Sequence, residues 1–164
     1  GASVAKIISI LEEGNSVAYV SDAGTPGISD PGSKLVKSAK EEGFNVFSIP
    51  GPSALTSAIS VSGFDINDFV FLGFLPHKKG RETLFKEISN SKRVVVFYES
   101  THRLLKTLEK LSEILESNRQ IGVGKELTKI HEAMIVGSAK EVLEKFKEDK
   151  MLLKGEFVVI VEGC

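Results

Sequence analysis

The chain of 164 residues is 41% hydrophobic and 26% charged, a balance that builds a folded core and excludes a fibre or a disordered tail. Its 21 Lys plus Arg face 22 Asp plus Glu for a net charge of −1, so no overall field marks a nucleic-acid binder and any attraction for a polyanion has to be local. One cysteine, Cys164, excludes an internal disulfide and a cysteine metal cluster, and no run nears the roughly 20 apolar residues needed to cross a bilayer, so a reducing, cytoplasmic setting is expected.

The chain opens on a helical pattern, with Val4, Ile7, Ile8 and Leu11 on one face and Gly14 as its stop. Val17 to Val20 reads as a short apolar strand ending in the loop SDAGTPGISDPG. A helix from Ser33 to Glu42, closed by Gly43, and a strand from Asn45 to Ile49 follow. Pro50-Gly51-Pro52-Ser53 then leads into the small-residue helix ALTSAISVSG and a third strand, Asp68 to Phe74. This alternation predicts a parallel sheet covered by helices. The polar stretch LPHKKGRE reads as a hinge, and a domain boundary is expected there, giving domains 1–74 and 75–164.

Beyond it come a helix at Glu82 to Ile88, a strand at Arg93 to Tyr98, and a helix from Thr101 to Leu115 with Leu104, Leu105, Leu108, Leu111 and Leu115 on one stripe. Strands Gln120 to Gly124 and Ala133 to Val136, helix Ala139 to Glu148 and strand Glu156 to Val161 complete the chain, with Ser138 and Glu141 spaced as a capping box. Charge is uneven along it: residues 1–70 hold four basic and eight acidic side chains, residues 71–164 seventeen and fourteen. The second part is the one that would welcome a polyanion. An α/β nucleotide-binding domain starts on a strand and a glycine-bearing loop, whereas this chain starts on a helix and stops just after Gly163, which predicts a piece of a longer protein.

Three loops can carry chemistry. In Ser21 to Gly32, glycines let backbone approach a ligand while Asp22 and Asp30 can accept hydrogen bonds from an amine or a ribose, or else serve as turn residues. Pro50 to Ala54 offers free amides and the Ser53 hydroxyl at a helix start, suited to an anion or to simple capping. In Phe97 to Arg103, Glu99 can orient a hydroxyl or take its proton and Arg103 can hold a phosphate, or the two can form a local ion pair. Lys125 to Glu132 is a second mixed-charge turn, and Lys78, Lys79 and Arg81 cluster on the expected hinge. No G-x-G-x-x-G, P-loop or G-x-S-x-G occurs, which argues against dinucleotide, ATPase and hydrolase readings, and no metal set is spaced for binding.

The segments VSDAGTPGISDPG, IPGPSALTSAISVSGF, FLGFLPHKKGR, VVFYESTHR, GKELTKIHEA and KGEFVVIVEG, in that order, resemble the ribosomal RNA small-subunit methyltransferase I family of the tetrapyrrole-methylase superfamily. The resemblance implies two α/β domains, here with the first truncated at its amino-terminal end. It implies methylation of a cytidine 2′-hydroxyl in small-subunit ribosomal RNA with S-adenosylmethionine as cofactor, and a homodimer that works on ribosomal RNA or the small ribosomal subunit. Carried over by position, Ser21, Asp22, Ala23, Gly24, Thr25 and Pro26, Pro50, Gly51, Pro52, Ser53 and Ala54, and Phe97 with Tyr98 become cofactor contacts. Glu99, Arg103 and Lys125 become the catalytic group, and Lys78, Lys79, Arg81, Glu126 and Lys129 the substrate contacts. The family's Arg-Glu-Leu-Thr-Lys motif stands here as Lys125-Glu126-Leu127-Thr128-Lys129, so a bidentate arginine is replaced by a point charge. A tetrapyrrole or other small-molecule methyltransferase and a non-catalytic binding module are the alternative readings.

Overall fold

Nine-residue helix α1 (Val4–Glu12) forms where the sequence places it: the Ser3 hydroxyl accepts from the Lys6 amide at 3.3 Å, and Gly14, at φ 83°, ends it in a conformation that L side chains resist. A computed structural model describes residues 3–164, which divide into two compact units, one ending at Pro52 and the other running from Ser53 to Cys164. The first unit contains α1 and α2 (Ser33–Glu41) joined by long loops. The expected strands Val17–Val20 and Asn45–Ile49 do not form there, because a strand exists only by pairing and no described strand pairs with either segment. Val20, Phe47 and Ile49 are consequently left exposed.

The second unit contains α3 (Ala54–Val61), β1 (Phe69–Phe74), α4 (Arg81–Ser89), β2 (Val94–Ser100), α5 (Thr101–Ile114), β3 (Gln120–Lys125), β4 (Ala133–Ser138), α6 (Ala139–Glu148), a 3₁₀ turn at Lys150–Leu153 and β5 (Glu156–Val161). The strands form one sheet in the order β1-β2-β5-β3-β4. Only β1 and β2 are parallel; the other three pairings are antiparallel, so the parallel sheet expected from the opening rhythm of the chain is not the sheet these strands form. The reason is topological. The β2–α5–β3 and β4–α6–β5 crossovers each join like-directed strands, but they interleave, so β5 inserts between β2 and β3 and meets both head to tail. The boundary expected near Leu75 is also displaced. Strand β1 is bonded to β2 from Phe69 opposite Val94 onward, and Leu75 is buried in the same core, so the compact division falls at Pro52 instead.

Alternation along β2 and β5 sends side chains to two cores. Val95, Phe97, Val159 and Val161 meet Leu104, Leu108 and Leu111 of α5 and Val142 and Phe146 of α6; Val94, Val96, Val158 and Ile160 meet Ala58 of α3, with Phe64 and Ile66 packed alongside. A capping box opens α6, with Ser138 and Glu141 each satisfying the other's amide. No helix among the described residues is long and apolar enough to cross a membrane.

Candidate functional site

In the first unit the loop after Val20 is braced from within. The Ser21 hydroxyl reaches the carbonyls of Ala23 and Gly24 at 3.1 and 3.0 Å, and the Tyr19 hydroxyl donates to the Pro31 carbonyl at 2.9 Å. The Thr25 hydroxyl donates to the Pro52 carbonyl at 3.2 Å, so this loop and the Pro50–Pro52 segment, singled out separately in the sequence, are tied together. Gly24 and Gly27 sit at φ 69° and 81° with nothing within 4 Å of where a side chain would begin, which leaves their backbone open to a ligand. Gly51 is equally open. Ser29 holds a left-handed φ of 55°, a strained state for a non-glycine residue. The Asp22 carboxylate is exposed on this loop.

In the second unit, Ser53 precedes α3 without capping it through its side chain, and Ala54 packs against the α3-side core. Phe97, expected to touch a cofactor, is fully buried among Leu, Val and Phe side chains; strand alternation points it away from the α3 face, on which its neighbour Tyr98 stands. Tyr98 is half-buried, its ring 5.0 Å from that of Phe71 and 5.5 Å from that of Phe74. Burial raises its phenol above the ordinary tyrosine value, with the Leu55 backbone amide acting in the opposite direction.

Glu99 is enclosed, its side chain wholly inaccessible. Oε1 accepts from the Ser100 amide at 2.8 Å and lies 2.7 Å from Arg103 Nε in an ion pair, while Arg103 Nε donates to Ser100 Oγ at 3.2 Å; Oε2 accepts from Thr107 Oγ1 at 2.7 Å and from Arg81 Nη2 at 3.1 Å. Three hydrogen bonds and two guanidiniums thus surround the carboxylate. Enclosed and paired to two arginines, the carboxylate is arranged to hold other groups in place, where the sequence suggested a base. Arg103 and Arg81 are likewise committed, each with its side chain only about 15% exposed, and are not free for the phosphate roles expected of them. Thr107 escaped notice in the sequence. Its signal was a hydroxyl lying on the apolar stripe of α5, between Leu104 and Leu111.

At the β3–β4 turn, Glu126 and Thr128 adopt left-handed φ values of 47° and 69°. The strained turn is held to β5 by the Glu156 amide, 2.8 Å from Glu126 Oε1, and by Lys129 Nζ, 3.1 Å from Glu126 and 2.9 Å from Glu156. The Glu156 amide and Lys129 hold the Glu126 carboxyl below its ordinary range, and the Glu156 and Glu126 carboxylates raise the Lys129 ammonium. Glu126 and Lys129 therefore bind each other before any substrate. Lys125, at the end of β3, is half-buried, and Lys78 and Lys79 stand exposed between β1 and α4.

The fold is shared with solved methyltransferases. The methyltransferase CobJ superposes with a TM-score of 0.69 at 22% identity, covering 98% of this chain and 70% of that one. Cobalt precorrin-4 methyltransferase gives 0.70 at 14% identity, covering 97% and 69%. The family model for tetrapyrrole (corrin/porphyrin) methylases matches residues 2–143, which defines the class. Within it, the chain is 45% identical over 160 residues to ribosomal RNA small subunit methyltransferase I of Thermotoga maritima, covering 98% of this chain and 71% of the relative. It is 44% identical to the protein of the same name from Escherichia coli O157:H7, covering 96% of this chain and 55% of the relative. The chain belongs to the ribosomal RNA small subunit methyltransferase I family of tetrapyrrole methylases.

Proposed function

We propose that the protein methylates the ribose 2′-hydroxyl of a cytidine in small-subunit ribosomal RNA, with S-adenosylmethionine as the methyl donor. The observation that carries this reading is the 45% identity to a ribosomal RNA small subunit methyltransferase along 98% of the chain. The chain spans between about half and three-quarters of the length of such relatives, so the reading concerns the whole protein to which it corresponds.

When bound, S-adenosylmethionine supplies an electrophilic methyl group on a sulfonium. The residues of the first loop suit its polar parts: the exposed Asp22 carboxylate can accept from an ammonium or a ribose, and the open backbone at Gly24, Gly27 and Gly51 admits close approach. Ser21 and Thr25 brace that surface through their hydrogen bonds. Lys125, Lys78 and Lys79 supply charge for phosphate, whereas Glu99 orients other groups and does not take the hydroxyl proton. The protein acts in the cytoplasm as a homodimer in this reading.

The test incubates the protein with labelled S-adenosylmethionine and undermethylated small subunits, then maps the label by nuclease digestion and mass spectrometry. Label on a cytidine ribose supports the reading. Label on a base, or on a tetrapyrrole offered in parallel, overturns it.

A further inference from the structure

We infer that Glu99, Arg81, Arg103 and Thr107 form a latch that fixes the Leu75–Gly80 segment and so holds Lys78 and Lys79 in place as RNA-positioning residues. The inference rests on the proposed RNA methylation for its ligand, but not for its geometry.

The segment reads as a hinge in sequence, with proline, glycine and two lysines and Leu75 as its one large apolar residue. Its ends are nonetheless held. Arg103 Nη1 donates to the Leu75 carbonyl at 2.7 Å, and Arg81 Nη1 donates to the Pro76 carbonyl at 3.2 Å. Both guanidiniums are in turn fixed by one carboxylate, Glu99, and Arg81 Nη2 also donates to Thr107 Oγ1 at 2.7 Å. The Arg81 guanidinium lies 5.0 Å from the Phe85 ring centre, and its backbone amide donates to the Lys78 carbonyl at 3.1 Å. Leu75 is anchored in the core, and the side-chain hydrogen bonds to the segment's backbone both come from guanidiniums that share Glu99. Removing that charge leaves two guanidiniums facing each other without their counter-ion, so the arrangement cannot survive in the same form.

Two guanidiniums against one carboxylate leave one positive charge in excess beneath a loop whose exposed tip carries two more, Lys78 and Lys79. The exposed side of Phe74 lies at the end of β1, directly before the latched segment. Cations and an exposed aromatic ring within a few residues suit a single-stranded polynucleotide, whose phosphates and bases need both. Held cations also bind better than mobile ones, because less loop freedom is lost when phosphate arrives. Glu99 is in this account a positioning residue.

The full chain and its Glu99→Gln variant are exposed to trypsin, which cuts after Lys78, Lys79 and Arg81, and cleavage sites are read by mass spectrometry while cooperative melting is checked. Cleavage confined to these three positions should rise about tenfold or more in the variant, as expected for a segment released into local opening. Thr107→Val, which removes one hydroxyl and keeps the shape, should give a smaller rise and serves if Glu99→Gln does not fold. In parallel, binding of a fluorescein-labelled oligoribonucleotide of decoding-region sequence is measured for Lys78→Ala/Lys79→Ala in both backgrounds. The lysine pair should matter several-fold less once Glu99 is replaced, a coupling that general destabilisation does not produce. Unchanged cleavage, or equal lysine effects in the two backgrounds, overturns the latch as a positioning device. Raised cleavage in a protein whose unsubstituted form neither binds nor methylates RNA overturns the functional reading instead and supports the latch itself.

Discussion

Arg103 places its Nε 2.7 Å from Oε1 of Glu99, four residues earlier, across the junction where β2 becomes α5. The contact turns a strand end that looked like a catalytic corner into a structural one. Glu99 reaches the α5 core face because alternation along β2 sends it there with Val95 and Phe97, and only Thr107 and the two arginines give it polar side-chain company.

Replacing Arg103 by Met should cost about 1–3 kcal/mol, the range for losing a charged hydrogen-bonding partner, and not the ~3–5 kcal/mol of an unmatched buried charge, because Arg81 stays 3.1 Å from Glu99. Urea unfolding measures it. A loss below about 1 kcal/mol would mean that the pair behaves as an exposed one.

Tyr98 titrates above the ordinary phenol value because burial disfavours the phenolate. Its folded value exceeds its unfolded one, so its contribution is present below the unfolded value and lost as pH rises through the folded one. Stability should therefore fall in the alkaline range above about pH 10, and Tyr98→Phe should flatten that fall. Thermal melts of both proteins across that range read the difference.

For Glu126 the sign is reversed. Its carboxyl is held low by the Glu156 amide and Lys129, so the stability it supplies is present above the unfolded carboxyl value and lost as pH falls through the folded one. Glu126→Gln should make stability less dependent on pH on the acid side, by less than about 1 kcal/mol since Lys129 is well exposed. Denaturant midpoints between neutral and acid pH decide it.

Lys78 and Lys79 are exposed and Arg81 is not free, so the salt dependence of RNA binding should come from the lysines. In Lys78→Ala/Lys79→Ala the slope of log affinity against log salt should shrink by about 0.7 for each phosphate the protein no longer neutralises. Titrations of an oligoribonucleotide at several salt concentrations check this; an unchanged slope removes both lysines from the interface.

Periodicity and capping are local properties, and what they determine was legible in the order of residues. The helices α1 to α6 and the strands from β1 onward lie within a few residues of where apolar spacing, Gly14 and the Ser138/Glu141 box put them. The motif segments also carried the family, because they are contiguous. Tertiary structure alone decided which strands are neighbours, that β5 enters between β2 and β3, and that Val17–Val20 and Asn45–Ile49 stay unpaired. It also decided that Glu99 is an anchor. Pairing and enclosure depend on residues distant in the chain: Arg81 is 18 positions from Glu99, and β5 begins 56 after β2 ends. Local spacing carries no information about which distant group will occupy a lone pair or a strand edge, and those two matters separate a chemical group that is free to react from one that holds the fold.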